Sequence, residues 1–184
     1  MNNETWIHKE LQRISGLSDK REQERLYNLF DKIIEEWNEF EYCINEYKIA
    51  RLNEDMNTRG IEFKKSNIES TKLKSMWEDI FTRGLTSKDK EEIYFESFMW
   101  HVFSYEKREA KIGSKARQAF NRVKKTEVYV FYQNDDNAFF INNAGLLKAS
   151  DLDHLDDVYI VDPKMKWTYV HTHESQCGPY YMRS

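Results

Sequence analysis

Proline is almost missing from this sequence of 184 residues: there are two, Pro163 and Pro179. Nothing before residue 163 therefore removes a backbone donor or clashes with a preceding turn, and helices are free to run long. Cysteine is equally scarce. Cys43 and Cys177 are too few and too far apart for a disulfide framework, which points to a reducing cytoplasm. The six glycines never cluster, excluding a glycine-rich phosphate loop. No apolar run approaches the roughly 18 residues of a membrane span, and no basic-then-apolar leader opens the chain, so neither membrane insertion nor secretion is expected.

What is abundant is charge and aromatic surface. Charged residues make up 33 % and aromatic residues 15 % of the chain, a globular rather than a disordered composition. The net charge of -4 is unevenly spread: residues 1–56 carry 8 basic and 13 acidic groups, 57–125 carry 16 and 10, and 126–184 carry 4 and 9. Such segregation either steers an anionic partner or is absorbed within the protein, acidic parts pairing with basic ones.

From Ser18 to about Leu52, apolar residues fall at Leu26, Phe30, Ile33, Trp37, Phe40, Ile44 and Tyr47, alternating steps of four and three. That is a heptad seam. A helix of about 30 residues rises roughly 45 Å. It either lies across the rest of the protein or pairs with a copy of itself, making a homodimer through Leu26–Tyr47. Residues 2–17 predict a shorter helix ended near Gly16, and polar Asn53–Asn57 predicts a boundary. The expected organisation is thus a helical extension over 1–56 and a domain over 57–184.

In that domain, a short strand is expected at Gly60–Lys64. Leu73, Met76, Trp77, Ile80 and Phe81 predict a helix stopped by Gly84. Thr86 and Asp89 form a capping box opening the next helix, read through Ile93 toward Phe98. Met99–Tyr105 fits either the end of that helix or a buried strand. Ser114 opens a helix with Ala116, Ala119, Phe120 and Val123 on one face. From Glu127 the period becomes two: a hairpin of Val128–Gln133 and Ala138–Asn142, a helical turn at Asp151–Leu155, then strands at Val158–Val161 and Trp167–Thr172. The fold class is α+β: a long helix or helical pair, then a small, mainly antiparallel sheet with helices packed on it.

The strings WEDIFTRGL from Trp77, EEIYFESFMWHVFSYE from Glu91, VYVFYQ from Val128, VYIVD from Val158, WTYVHTHE from Trp167 and CGPYY from Cys177 resemble the bacterial domain-of-unknown-function 4275 family (DUF4275). The likeness runs from about Asn57 to Tyr181. It implies a bacterial cytosolic protein and supplies no reaction.

The residues themselves offer several chemistries. In a strand, His171 and His173 share a face; with Cys177, or Glu174, as a third ligand they form a candidate zinc site, although the spacing matches no standard zinc module. The other reading has His173 and Glu174 ending a strand and bonding to neighbouring loops, with Cys177 a small buried residue before a turn. Cys177 with His173 as base is a candidate nucleophile. His101 and Tyr105, with Glu174, are candidates for a polar pocket in an aromatic wall; otherwise His101 is a buried histidine satisfied by backbone carbonyls. The basic run from Lys107 to Lys125 lacks interleaved aromatics and a docking motif, and with a pI near 5.8 nucleic acid is disfavoured as a partner. The expectation is a cytoplasmic, non-enzymatic, protein-binding protein of regulatory or immunity-like kind; the alternative is a metal-binding protein or metal-dependent enzyme.

Overall fold

The protein is described by a computed structural model covering residues 3–184. The chain divides into two compact units, Met1–Arg51 and Leu52–Ser184.

The first unit is a helical hairpin. Helix α1 spans Asn3–Ser15; the expected first residue of that helix, Asn2, lies outside the described residues. Helix α2 spans Lys20–Thr58. The turn between them is fixed by Asp19, whose Oδ1 accepts from the amides of Arg21 (2.9 Å) and Glu22 (3.3 Å), and by Gln23, whose side chain donates back to the Ile14 and Ser15 carbonyls. Trp6 packs on Phe30 with ring centroids 5.6 Å apart. Helix α1 has 13 residues, about 20 Å, so it covers only the start of the heptad seam. Farther along, Ile33, Trp37, Phe40 and Tyr47 are 47, 47, 54 and 65 % exposed.

Helix α2 does not stop at Leu52. The polar stretch Asn53–Asn57, expected as a boundary, is helical, and the two units divide within the helix at Arg51/Leu52. Two apolar side chains anchor this last part: Met56 is buried and Leu52 packs half-buried against the same core. Arg59, just past the helix, pairs with Asp55 and grips buried Asp151 through two bonds of 3.0 and 2.9 Å.

The second unit is built on one antiparallel sheet of seven strands, in the order β1-β4-β3-β5-β6-β7-β2. The strands are β1 Lys64–Lys65, β2 Lys111–Ile112, β3 Val128–Tyr132, β4 Ala138–Ile141, β5 Val158–Val161, β6 Trp167–His171 and β7 Tyr180–Arg183. Helices α3 Ser70–Phe81, α4 Ser87–Glu92, α5 His101–Ser104 and α6 Ser114–Arg122 surround it. The capping box of Thr86 and Asp89 opens α4, which ends at Glu92 rather than running toward Phe98. Met99–Tyr105, open to two readings, contains the single helical turn α5.

Both faces of the sheet are covered. On one, Leu73, Trp77 and Phe81 of α3 and the Phe95–Phe103 segment pack over Phe131, Tyr159, Val161 and Val170. On the other, Met56 of α2, Ala116 and Phe120 of α6 and the turns around Ala144–Leu152 pack over Val130, Ile160, Trp167 and Tyr169. Two-sided burial explains the unbroken apolar run of β5, since a strand covered on both faces needs no polar alternation. Trp77 ties α3 to the middle of the sheet: its indole N–H donates to Thr168 Oγ1 at 2.9 Å, deep in the core.

Candidate functional site

Asp157 precedes β5 with a positive φ of 46°, and its carbonyl accepts from the Gln133 amide, extending the β3–β5 ladder. Register then determines what it meets. Val158 pairs with His171, so the chain leaving β6 runs beside Asp157. Its buried carboxylate accepts from the Trp100 indole (2.9 Å) and the His173 amide (3.3 Å) through Oδ1, and from His173 Nδ1 (2.8 Å) through Oδ2. This bond to Asp157 is the main reason the His173 pKa is raised above its ordinary value.

The same strands hold the aromatic segment before α5. The Tyr159 hydroxyl donates to Gln133 Oε1 (2.8 Å) and accepts from the Trp100 amide (3.0 Å), and Gln133 Oε1 also accepts from the Met99 amide (3.0 Å). Burial pushes the Tyr159 phenol well above its usual pKa, so it stays a neutral donor. The Phe98 ring packs against the imidazoles of both His101 and His173, with centroids 5.3 and 5.1 Å away. Trp100 stands 4.5 Å from His101 and 6.1 Å from His173. His101 Nδ1 donates to the Ile93 carbonyl at 2.7 Å, and Tyr105 sits 5.3 Å from the His101 ring. Of the expected cluster, His101, Tyr105 and His173 are thus gathered on this aromatic wall.

Glu174 and Cys177 continue from His173 in a tight loop. The Cys177 amide donates to the Glu174 carbonyl at 3.0 Å, and the Thr172 hydroxyl bonds to the carbonyls of both Glu174 and Cys177. Gly178 is required there. Its φ is +103°, and a Cβ would come within 3.1 Å of Thr172 Oγ1. The Glu174 carboxylate beside the Cys177 thiol, together with burial, raises the thiol pKa. A thiol held protonated is a poor nucleophile.

His171 is not part of this group. The expectation that His171 and His173 lie side by side required the strand to continue through both, but β6 ends at His171 and the chain turns. His171 stays with the other layer: its Nδ1 donates to the Leu155 carbonyl (2.8 Å), and its Nε2 lies 3.9 Å from Asp153, which is itself gripped by both Nη atoms of Arg117 at 2.6 and 2.7 Å. Next to it, burial lowers the His154 pKa. The buried His154 Nδ1 and Tyr169 hydroxyl lack a hydrogen-bond partner among the described residues. Among the described residues, no group of three or more His, Cys, Asp and Glu side chains is arranged to hold a metal ion.

Residues 50–181 match the family model described as Domain of unknown function (DUF4275). The chain belongs to that family. No curated protein and no solved structure matches it. The match opens inside α2 and takes in every residue of both histidine clusters. Within the DUF4275 domain, four buried polar contributors were not singled out from sequence: Gln133, Asp157, Tyr159 and the Trp100 indole. Asp157 carried one local signal, an acidic residue at the mouth of an otherwise wholly apolar strand, where a carboxylate must find donors.

Proposed function

We propose that this DUF4275 protein is a bacterial, cytoplasmic, non-enzymatic protein-binding module of regulatory or immunity-like kind, and that its first partner is a second copy of itself, engaged through α2. The observation that carries this is the exposure of Ile33, Trp37, Phe40 and Tyr47 in the same four-and-three register as buried Phe30. Soluble monomers seldom leave so continuous an apolar stripe in water, and a repeat of 3.5 residues keeps facing its partner only when the partner has the same period. The non-enzymatic part is supported by the reactive groups being engaged: His173 with Asp157, His171 with Leu155, and Cys177 with Glu174.

The test is the mass of the full chain in solution, by size exclusion with light scattering, beside a Trp37→Glu/Phe40→Glu variant. Both substituted positions are exposed, so the variant is expected to fold. The wild type is expected to run as a dimer and the variant as a monomer. A wild type that stays monomeric at high micromolar concentration removes self-association, and with it the observation on which the reading rests.

A further inference from the structure

The second unit carries a surface that the heptad face does not explain. Strand β2 pairs with β7 only at Lys111↔Tyr181 and Ile112↔Tyr180. Because β2 is the last strand of the sheet, β7 runs past it, and Met182 and Arg183 have no strand beside them on that side among the described residues. A cleft of about 550 Å³ opens there, between the segment 107–111 and β7. Arg183 also lines two adjoining clefts of about 340 and 350 Å³, one reaching Lys124 and Lys166, the other running along α6 past Lys115 and Arg122.

The charge of this groove is one-sided. Lys111, Lys115, Arg122, Lys124, Lys166 and Arg183 are all exposed and line these clefts. Among the described residues none of them is in an ion pair, the nearest to a partner being Arg183, whose Nε donates to the Tyr181 hydroxyl at 3.3 Å. The carboxylates in the lining are Glu109, Glu127 and Asp162, and Asp162 already accepts from the amides of Lys164 and Lys166. Other cations of the domain are paired: Lys107, at the far end of the first cleft, with Asp89 and Glu92, Lys90 with Glu78, and Arg117 with Asp153. Six cations left unpaired around an open sheet edge make a site for an anionic chain.

We propose that this groove binds an extended, acidic segment of a partner protein, whose backbone pairs with the outward-facing amide and carbonyl of Arg183 while its carboxylates meet Lys111, Lys115, Arg122 and Arg183. An unpaired strand edge supplies amide and carbonyl groups that a polypeptide can match and a nucleic acid cannot. The rings in the lining, Tyr181 and Trp167, are buried, so no stacking surface for bases is offered. The site is independent of the α2 face and stands or falls separately from self-association.

Fluorescence anisotropy on the full chain tests it, using a labelled peptide of alternating Glu and Thr, about twelve residues long, enough for one strand and its flanks. Three comparisons accompany it: the same peptide N-methylated at alternate residues, which keeps the charge but cannot form a ladder; a single-stranded oligonucleotide of equal charge; and the Lys111→Glu/Arg183→Glu variant. The peptide is expected to bind at low salt and weaken as salt rises. N-methylation, and separately the charge-reversed variant, is expected to weaken binding by about tenfold or more. Absence of peptide binding, equal binding of the N-methylated peptide, tighter binding of the oligonucleotide, or an unchanged affinity in the variant overturns the proposal. Circular dichroism of the variant, whose two substitutions are at exposed positions, separates lost binding from lost fold.

Discussion

Lys125 is the least comfortable charge in the protein, and replacing it should show how strongly the domain resists burying it. The residue is 5 % exposed. The ammonium donates to the Phe120 carbonyl at 2.8 Å, near the C-terminal end of α6, and lies 4.4 Å from the centroid of the Phe120 ring. Those two contacts do not restore what water provided: burial lowers the Lys125 pKa from 10.5 to about 8. Between those two values the unfolded chain holds a proton that the folded chain has released, so folding gains stability as pH rises, by about 1.4 kcal/mol per pH unit. Integrated from pH 7 to pH 9.5, the wild type should gain about 2 kcal/mol from this residue. The variant Lys125→Met keeps the length and the apolar stem, and loses the charge. It should lack that gain, and near pH 7 it should be the more stable of the two by about 1 kcal/mol, the relief of desolvation being partly offset by the lost bond to the Phe120 carbonyl. Urea unfolding at several pH values, followed by near-ultraviolet circular dichroism of the buried tryptophans, measures both quantities. Tyr132, Tyr180 and Cys177, whose pKa values are raised, act in the opposite sense at high pH, but equally in both proteins, so the difference between the two isolates Lys125. A difference that stays flat from pH 7 to pH 9.5 would refute the reasoning.

Asp157→Asn should lower stability by about 2 kcal/mol, because a buried acceptor of three bonds becomes an amide that opposes His173 Nδ1 with its own donor. In a proton-detected titration the His173 pKa should fall from its raised position toward the ordinary histidine value. In the wild type the His173–Asp157 pair should contribute fully below pH 6.5 and be lost as pH rises through the raised folded value, a dependence that Asp157→Asn should remove. Arg59→Ala should cost about 3 kcal/mol in urea unfolding, since the Asp151 side chain is 5 % exposed and is left without its cation; Asp151→Asn added to it should recover part of the loss.

The sequence revealed the fold where periodicity reported it. Strands β3 to β6 alternate or run apolar over four or five residues, and α3 repeats at three and four, so each was legible. Strands β1 and β2 have two residues each, too few to show any period, and β7 follows directly on Gly178-Pro179, where turn signals mask it. The end of α2 was hidden because its last turns are anchored by only two apolar side chains, Leu52 and Met56, in an otherwise polar stretch. The site was legible as a set of residue types but not as a set of neighbours. His171 and His173 were placed together by a period of two that holds only while a strand lasts. The partner of His173, Asp157, lies 16 residues away in sequence, and only the pairing of Val158 with His171 brings the two into contact.

The brevity of β1 and β2 has a further effect on how this protein behaves in a crowded solution. A seven-stranded antiparallel sheet would ordinarily offer two long edges on which other chains could grow. Here one end of the sheet finishes in Lys64 and Lys65 and the other in Lys111 and Ile112. Each end is short and carries lysine, and the stretch of β7 that β2 leaves uncovered is ringed by the same positive charge, so like ends repel before they can stack. The sheet is thereby protected from polymerising on itself.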